Sequence, residues 1–148
     1  MNMYFDIMVG SVLGASEYVA EAILLRIKEA GHDGECHFEP NITSLNEDNI
    51  LLICTSTHGA GDLPDNIEGF AKALQEQDLS AYKAMIIGLG DSSYDTYCGA
   101  AMKIESILKQ KGALLLADPL HIDVLHHPIP EDPAVEWFSQ TLAKITSE

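Results

Sequence analysis

One stretch of sequence decides how this chain folds: Met8-Val9-Gly10-Ser11-Val12-Leu13-Gly14-Ala15-Ser16-Glu17-Tyr18. The apolar run over residues 4–9 leads into it and indicates a strand, while Val19, Ile23 and Ile27 beyond it follow helical spacing. A strand that turns directly into a helix points the first unpaired N–H groups of that helix, and the positive end of its dipole, at the turn. We therefore expect this loop to bind an anion.

Neutral groups would hold the anion, because the first cationic side chain after the loop is Arg26. The hydroxyls of Ser11 and Ser16 can donate hydrogen bonds, and Gly14 lets the backbone approach a ligand closely. The loop alone also allows a plainer interpretation, in which Ser16 caps the helix and Gly14 only forms the turn. Both interpretations stay open at this point.

The composition indicates a single domain, residues 1–148, with an ordinary hydrophobic core. Hydrophobic residues make up 47% of the chain, which excludes a disordered protein. No apolar run approaches the ~18 residues that cross a membrane, and the N-terminus lacks the features of a signal peptide. The three cysteines, Cys36, Cys54 and Cys98, have neither metal-site nor redox-motif spacing. We therefore predict a cytoplasmic protein with reduced thiols and no metal.

The chain is strongly acidic, with 23 acidic and 8 basic residues and a net charge of −15. Such a surface repels nucleic acids and anionic membranes, so we expect neither as a partner. It attracts a protein with a basic docking face, most strongly at low salt. The charge also fits simple solubility, so on its own it identifies no partner.

Strands and helices are predicted to alternate along the chain. After the first strand, residues 35–38 fit a short second strand whose charges indicate an edge position or partial exposure. Apolar runs predict strands over residues 50–55, 84–88 and 114–117, the last continuing towards residue 124. Four helices follow or separate them, and Asp132 is the expected N-cap of the last one, with Pro133 in its first turn. This alternation predicts a doubly wound α/β sandwich around a parallel sheet. The polar loops after the first, third and fourth strands then meet at one edge of the sheet, where such folds bind ligands.

The loops at that edge fit FMN better than other phosphate-containing ligands. The first loop has no G-x-G-x-x-G for NAD, no lysine for a P-loop, no acidic residue for a phosphoreceiver and no cysteine for a phosphatase. The second loop (residues 56–66) and the third (residues 89–98) contain His58, Tyr94 and Tyr97, whose flat side chains can stack on a conjugated ring. The three loops together suit a ligand with one phosphate and a large planar part, which is the shape of FMN.

All three loops resemble those of one protein family. The first, Ser11-Val-Leu-Gly14-Ala-Ser16, resembles the phosphate loop of flavodoxins. The second and third resemble the flavin loops of MioC-type flavodoxins, relatives of the FMN domain of cytochrome P450 reductase, and the tail from His127 to Trp137 is also similar to these proteins. The resemblance spans nearly the whole chain. It implies a short-chain, flavodoxin-like three-layer α/β/α sandwich with a five-stranded parallel sheet in the order 2-1-3-4-5.

The resemblance also implies how FMN is bound. Residues 11–16 would hold the phosphate, residues 57–59 and 89–98 would lie on either side of the isoalloxazine ring, and Tyr94 would stack on its outer face. The carbonyl of Gly59 would meet flavin N5 when that nitrogen gains a proton. Val12 and Leu13 stand where relatives carry hydroxyls, and His58 where they carry tyrosine, so we expect looser binding. The expected FMN-binding residues are Ser11, Val12, Leu13, Gly14, Ala15 and Ser16, then Ser56, Thr57, His58, Gly59, Ala60 and Gly61, and finally Leu89, Gly90, Asp91, Tyr94, Tyr97 and Cys98.

A protein of this kind is an electron carrier without a substrate of its own. The resemblance implies a monomer that takes electrons from a basic-faced flavodoxin/ferredoxin-NADP reductase and passes them to an acceptor redox enzyme. Two alternatives stay open. One is an FMN-dependent NAD(P)H:quinone-type reductase. The other is a flavodoxin-fold binding module that has lost its flavin, which Val12 and Leu13 keep in consideration.

Overall fold

Strand β1 (Tyr4–Gly10) and the helix α1 that follows it (Ala15–Glu29) form the first unit of the fold. The computed structural model describes residues 2–12 and 14–147, so the predicted phosphate-loop residue Leu13 lies outside the described residues. The remaining elements are, in chain order, β2 (Asp33–His37), a short 3-10 helix (Ile42–Ser44), β3 (Ile50–Ser56), α2 (Asp65–Leu74), β4 (Lys83–Gly90), α3 (Gly99–Gln110), β5 (Leu114–Leu115), β6 (Leu120–Asp123) and α4 (Glu131–Thr146).

The strands form one parallel sheet in the order β2-β1-β3-β4-β5, which confirms the predicted order. Val9 of β1 is in register with Cys54 of β3, which is in turn in register with Ile87 of β4. Because these strands are parallel, their carboxyl ends lie along the same edge of the sheet. The three polar loops therefore leave the sheet side by side.

Two short segments, rather than one continuous strand, occupy the fifth position in the sheet. The segment β5 pairs with Lys83 and Ala84 at the start of β4, and β6 pairs with Ile87 to Gly90 at its end. Between them, residues 116–119 are not in strand conformation. Pro119 lies in this gap and has no N–H to donate to a ladder. The predicted continuation of the strand towards residue 124 is present, with this break in it.

Helices cover both faces of the sheet, and each face has its own core. On one face, α1 and α4 pack on β1, where the ring of Phe138 meets Phe5 edge-on with centroids 5.4 Å apart. On the other face, α2 and α3 pack on Met8 and on residues of β3 such as Ile53. Burial on both faces explains why the inner strands are continuous apolar runs. Within residues 2–12 and 14–147, no helix is both long and apolar enough to cross a membrane.

Helix α4 begins earlier than the sequence predicts. The backbone is already helical at Pro130 (φ −65°, ψ −17°), and Glu131 is the first residue of the helix. Asp132 lies in the first turn and makes no capping hydrogen bond, so its predicted role as N-cap was wrong. Proline fixes the φ angle that a helix needs, which lets the helix start before the aspartate. The carboxylates of Glu131 and Asp132 still interact favourably with the positive end of the helix dipole.

Candidate functional site

The three loops close around one crevice at the carboxyl edge of the sheet. The crevice has a volume of about 330 Å³, and small-ligand pockets start at roughly 300 Å³. Most of the predicted binding residues line it. The lining residues are Val12, Ala15, Ser56, Thr57, His58, Gly59, Leu89, Gly90, Asp91, Tyr94, Thr96, Tyr97, Cys98 and Val124.

Hydrogen bonds among its own residues hold the first loop in shape. Gly14 occupies the N-cap of α1 with φ +92°, a left-handed conformation that favours glycine. Its N–H donates to the hydroxyl oxygen of Ser11 at 2.9 Å, and the hydroxyl of the buried Ser16 donates to the carbonyl of Gly10 at 2.5 Å. The interpretation of Ser16 as the helix cap was therefore wrong. The first N–H groups of α1 have no acceptor within the helix and face this loop.

Asn66 was not predicted as a site residue, yet it fastens the first loop to its neighbours. Its Oδ1 accepts a hydrogen bond from the N–H of Ser11 at 3.0 Å. Its Nδ2 donates to the carbonyl of Val9 at 2.6 Å and to the carbonyl of Phe38 at 2.9 Å. No local sequence pattern indicates contacts between residues 55 and 57 positions apart, so the sequence held no signal for this role.

The second loop is a closed turn. The backbones of His58 and Asp62 exchange two hydrogen bonds, of 2.8 Å and 2.7 Å. Gly59 and Gly61 allow the turn because their φ angles are +53° and +87°. Ala60 is exposed and does not line the crevice.

The second and third loops pack against each other at Gly61, which is buried and lies behind the crevice wall. A Cβ atom added to Gly61 would lie 3.1 Å from the Cβ of Thr96, and one added to Gly99 would lie 3.0 Å from the Cα of Gly61. The hydroxyl of Thr96 also donates to the carbonyl of Gly59, at 3.5 Å. This contact closes one side of the crevice.

The third loop carries the aromatic side chains. Tyr94 is 65% exposed at the mouth of the crevice, whereas Tyr97 is half-buried and meets His121 edge-on, with ring centroids 6.2 Å apart. Cys98 is buried with φ +52°. Gly90 comes so close that an added Cβ would lie 2.7 Å from the Cys98 nitrogen. The loop is therefore packed tightly behind the exposed tyrosine.

Val124 lines the crevice but was not predicted to do so, whereas Thr96, which also lines it, lies within the predicted range 89–98 although it was not named as a binding residue. Val124 follows β6, and its N–H donates to the carbonyl of Gly90 at 2.9 Å, which ties the end of β6 to the third loop. The position of Val124 was foreseeable, because a fifth parallel strand that reaches residue 124 ends at the same edge of the sheet as the other loops.

The side chains of Tyr97 and Cys98 keep their protons near neutral pH. Burial, followed by the influence of Cys98 and Asp123, raises the pKa of the Tyr97 phenol to about 12. Burial is also the largest cause that raises the pKa of the Cys98 thiol to about 11. Neither group is a nucleophile or a general base at pH 7. These residues form a binding wall.

Carboxylates at the crevice support its loops. Asp91 accepts hydrogen bonds from the N–H and the hydroxyl of Ser93, at 2.8 Å and 2.6 Å. Asp123 accepts one from the N–H of Ser92 at 3.2 Å. Hydrogen bonds, above all that from the Ser92 hydroxyl, hold the pKa of the Asp123 carboxyl below its usual range. The Asp123 carboxyl therefore stays charged at pH 7.

Away from the crevice, one group of described residues has the atoms to hold a metal ion. Asp6, Glu35 and His37, on neighbouring strands, place one ligand atom each within 4.8 Å of one another. Both oxygens of the buried Asp6 already have partners, the Nε2 of His37 at 3.0 Å and the Nδ2 of Asn49 at 2.9 Å. Hydrogen bonding accounts for this cluster, and we assign it no metal.

The crevice suits the ligand that the resemblance implies. At the α1 end the crevice adjoins the first N–H groups of the helix, which are neutral donors and suit a single phosphate. The rest of the wall combines apolar side chains, Tyr94, Tyr97 and the backbone of Gly59, which suits a planar ring. Ser11, Gly14 and Ser16 shape the loop behind this wall rather than line it.

Comparisons with known proteins agree with this geometry. The profile of the flavodoxin family matches residues 7–138, a range that contains all three loops. The chain is 49% identical over 130 residues to Protein MioC of Escherichia coli strain K12, and the aligned region covers 86% of this chain and 88% of Protein MioC. It is 32% identical over 140 residues to Flavodoxin YqcA of the same organism, and the aligned region covers 90% of this chain and 93% of Flavodoxin YqcA. Among solved structures, a cysteine variant of a flavodoxin from Pseudomonas aeruginosa superposes with a TM-score of 0.88 at 28% identity, covering 95% of this chain and 97% of that one.

Proposed function

Because this chain belongs to the flavodoxin family of FMN-binding electron carriers, we propose that it takes electrons from an NADP-dependent reductase with a basic docking face and passes them to acceptor redox enzymes. We propose further that it has no substrate of its own, and that it works as a monomer in the cytoplasm. When bound, FMN supplies the ring that accepts and releases electrons. The protein supplies binding, orientation and charge.

The observation that carries this proposal is that one end of the crevice presents hydrogen-bond donors and the other end presents apolar and aromatic side chains. At the α1 end, we propose that the first N–H groups of the helix hold the phosphate without any cation, and that the Ser11 hydroxyl behind them fixes the loop. The other end is apolar and open, with Tyr94 at its mouth in a position to cover one face of a flat ring. A partner thus approaches the ring edge without entering the protein.

The second loop contains Gly59, whose carbonyl is the group that we expect to contact flavin N5. Gly59 lies in the tip of the closed turn between His58 and Asp62, and its φ of +53° is a conformation that glycine adopts without strain. We propose that its carbonyl accepts a hydrogen bond from flavin N5 when this atom is protonated. Thr96 already donates to this carbonyl at 3.5 Å.

The first test is a visible spectrum of the purified protein, followed by titration of the flavin-free protein with FMN and with riboflavin. We expect flavin absorption with quenched fluorescence, and much tighter binding of FMN than of riboflavin. Equal, weak binding of both would mean that the first loop does not hold a phosphate. Binding of neither would contradict the electron-carrier proposal and favour a binding module without flavin.

The second test separates a carrier from an enzyme. The FMN-loaded protein alone is mixed with NADH or NADPH, with and without a quinone, and then with a basic-faced ferredoxin/flavodoxin-NADP reductase. A carrier is reduced only when the reductase is present. Rapid oxidation of NAD(P)H by the isolated protein would instead identify it as an NAD(P)H:quinone-type reductase.

A further inference from the structure

The side chain of Asn66 occupies a place that a backbone peptide group fills elsewhere in the sheet. We propose that this side chain extends the ladder between β1 and β2 by one step and thereby makes the first loop selective for the phosphorylated flavin. The proposal rests on the proposed binding of FMN. Asn66 is a positioning residue in it, because it acts on the phosphate through the loop.

The hydrogen bonds of Asn66 have the pattern of a parallel ladder. In such a ladder, one residue donates its N–H to the carbonyl of residue i−1 and accepts from the N–H of residue i+1 on the neighbouring strand. The amide of Asn66 does this around Gly10, since Nδ2 donates to the carbonyl of Val9 at 2.6 Å and Oδ1 accepts from the N–H of Ser11 at 3.0 Å. A primary amide has the same donor and acceptor as a peptide group.

Strand β2 is too short to provide this step itself. Its last residue, His37, is in register with Met8, so the next position on that side, opposite Gly10, lies beyond its end. There the chain turns away towards Pro40, and the second N–H of the Asn66 amide donates to the carbonyl of Phe38 at 2.9 Å. The amide thus joins the end of β1 to the segment that has left the sheet.

The consequence for the first loop follows from one further hydrogen bond. Asn66 fixes the backbone of Ser11, and the hydroxyl oxygen of Ser11 accepts from the N–H of Gly14, the N-cap of α1, at 2.9 Å. The chain Asn66–Ser11–Gly14 therefore sets where the first N–H groups of α1 stand relative to the end of β1. These N–H groups are the donors that a phosphate without a cation requires.

Asn66 also connects the two ends of the crevice. It is the second residue of α2, directly after the loop whose turn at His58 to Asp62 borders the proposed ring site. Asparagine side chains often bond to backbone groups of neighbouring residues in the chain, but the amide of Asn66 is turned towards the first loop instead. Removing this amide releases the phosphate end while the ring end keeps its own hydrogen bonds.

The experiment compares FMN and riboflavin, which differ only in the phosphate, on the full chain. Dissociation constants are measured by fluorescence quenching for the wild type, for Asn66→Leu, which has a similar volume and no amide, and for Asn49→Leu as the control. Asn49 is a half-buried asparagine that donates to Asp6 and precedes β3 at the opposite edge of the sheet. We expect Asn66→Leu to weaken FMN binding roughly tenfold and riboflavin binding less than about threefold, and Asn49→Leu to leave the ratio unchanged.

Other outcomes overturn the proposal in distinguishable ways. If the wild type binds neither flavin, or both equally, the proposed function itself fails and takes this inference with it. If the wild type prefers FMN and Asn66→Leu keeps the same FMN-to-riboflavin ratio, only the inference fails. Thermal unfolding of each flavin-free variant, followed by circular dichroism, shows whether the fold is retained.

If Asn66→Leu does not fold, hydrogen exchange of the wild type tests whether Asn66 holds the backbone of the first loop. In the flavin-free protein, the amide hydrogens of Ser11 and Gly14 are expected to exchange with solvent at least about tenfold more slowly than the unbonded amides of an exposed loop. Such protection supports a loop that is formed before the ligand arrives. Free exchange of the Ser11 amide would contradict the proposed bond to Asn66.

Discussion

Tyr94 is the residue that we expect to contribute most to holding the flavin ring. Its side chain is 65% exposed at the mouth of the crevice, so it packs on little else. We predict that Tyr94→Leu weakens the binding of FMN and riboflavin by the same factor, roughly fivefold, because an aromatic stack contributes about 1 kcal/mol and touches no phosphate. Fluorescence titration checks this. Tyr4→Leu, at the opposite edge of the sheet, is the control and should leave both affinities unchanged. If Tyr94→Leu weakened the binding of FMN but not that of riboflavin, the stacking role would be contradicted.

Asp123 makes the stability of the crevice dependent on pH. Hydrogen bonds hold its pKa below the usual range in the folded state, above all that from the Ser92 hydroxyl. The stabilisation is therefore present above the unfolded pKa, about 3.9, and is lost as the pH falls through the lower folded value. We predict that Asp123→Asn is less stable than the wild type at pH 7 and that the difference shrinks towards pH 2. Urea unfolding at both pH values measures it, and an equal difference at both would contradict the prediction.

Sequence reasoning identified the residues of the crevice wall better than the bonds behind it. Val12, Gly59 and Tyr94 were predictable because they belong to loops with a recognisable residue pattern. Ser16 was assigned to the phosphate or to a helix cap, whereas its hydroxyl donates to the carbonyl of Gly10. Asn66 was missed because contacts between distant residues are decided by the packing of whole elements and leave no local pattern.

At the scale of elements, the contact between the second and third loops depends on glycine. Gly61 has φ +87° and stands where an added Cβ would lie 3.1 Å from Thr96. We predict that Gly61→Ala destabilises the protein by about 1–3 kcal/mol and weakens flavin binding, because both the left-handed conformation and the close contact resist a side chain.

A second glycine provides the matched control for this change. Gly69 lies exposed within α2, and an added Cβ there meets nothing within 4 Å. Gly69→Ala is expected to raise the free energy of unfolding by about 0.5–1 kcal/mol through helix propensity, with flavin binding unchanged. Urea unfolding compares the two variants, and equal effects would show that the environment of Gly61 has no special role.

The strands were predictable from the sequence because burial on both faces leaves continuous apolar runs, as over residues 50–55 of β3. The ends of elements were less predictable. The fifth strand breaks around Pro119, and α4 starts with Pro130 rather than Asp132. The fixed φ of Pro130 decided the start of α4, and Pro119 lies inside the gap of the fifth strand, and the apolar pattern carries no information about either boundary.

At the scale of the whole molecule, the charge of −15 is expected to control how fast electrons arrive. We predict that the rate of reduction of the FMN-loaded protein by a basic-faced NADP reductase falls steeply between about 0.01 M and 0.5 M NaCl, because salt screens the attraction between the two surfaces. Stopped-flow absorbance measures this rate. A rate independent of salt would contradict electrostatic docking and would leave the charge to account for solubility alone.

The interrupted fifth strand limits how far the edge of the sheet can pair with strands of other protein molecules. An edge strand with a long row of free N–H and C=O groups is a template on which another chain can add itself irreversibly. Here that edge offers only the two residues of β5 and, after the gap, the four of β6, while the opposite edge at β2 carries Asp33 and Glu35. Neither edge strand therefore offers a long row of backbone groups with which a strand of another molecule could pair. The short edges therefore protect the protein against aggregation through strand pairing, and they would keep the docking that we propose transient.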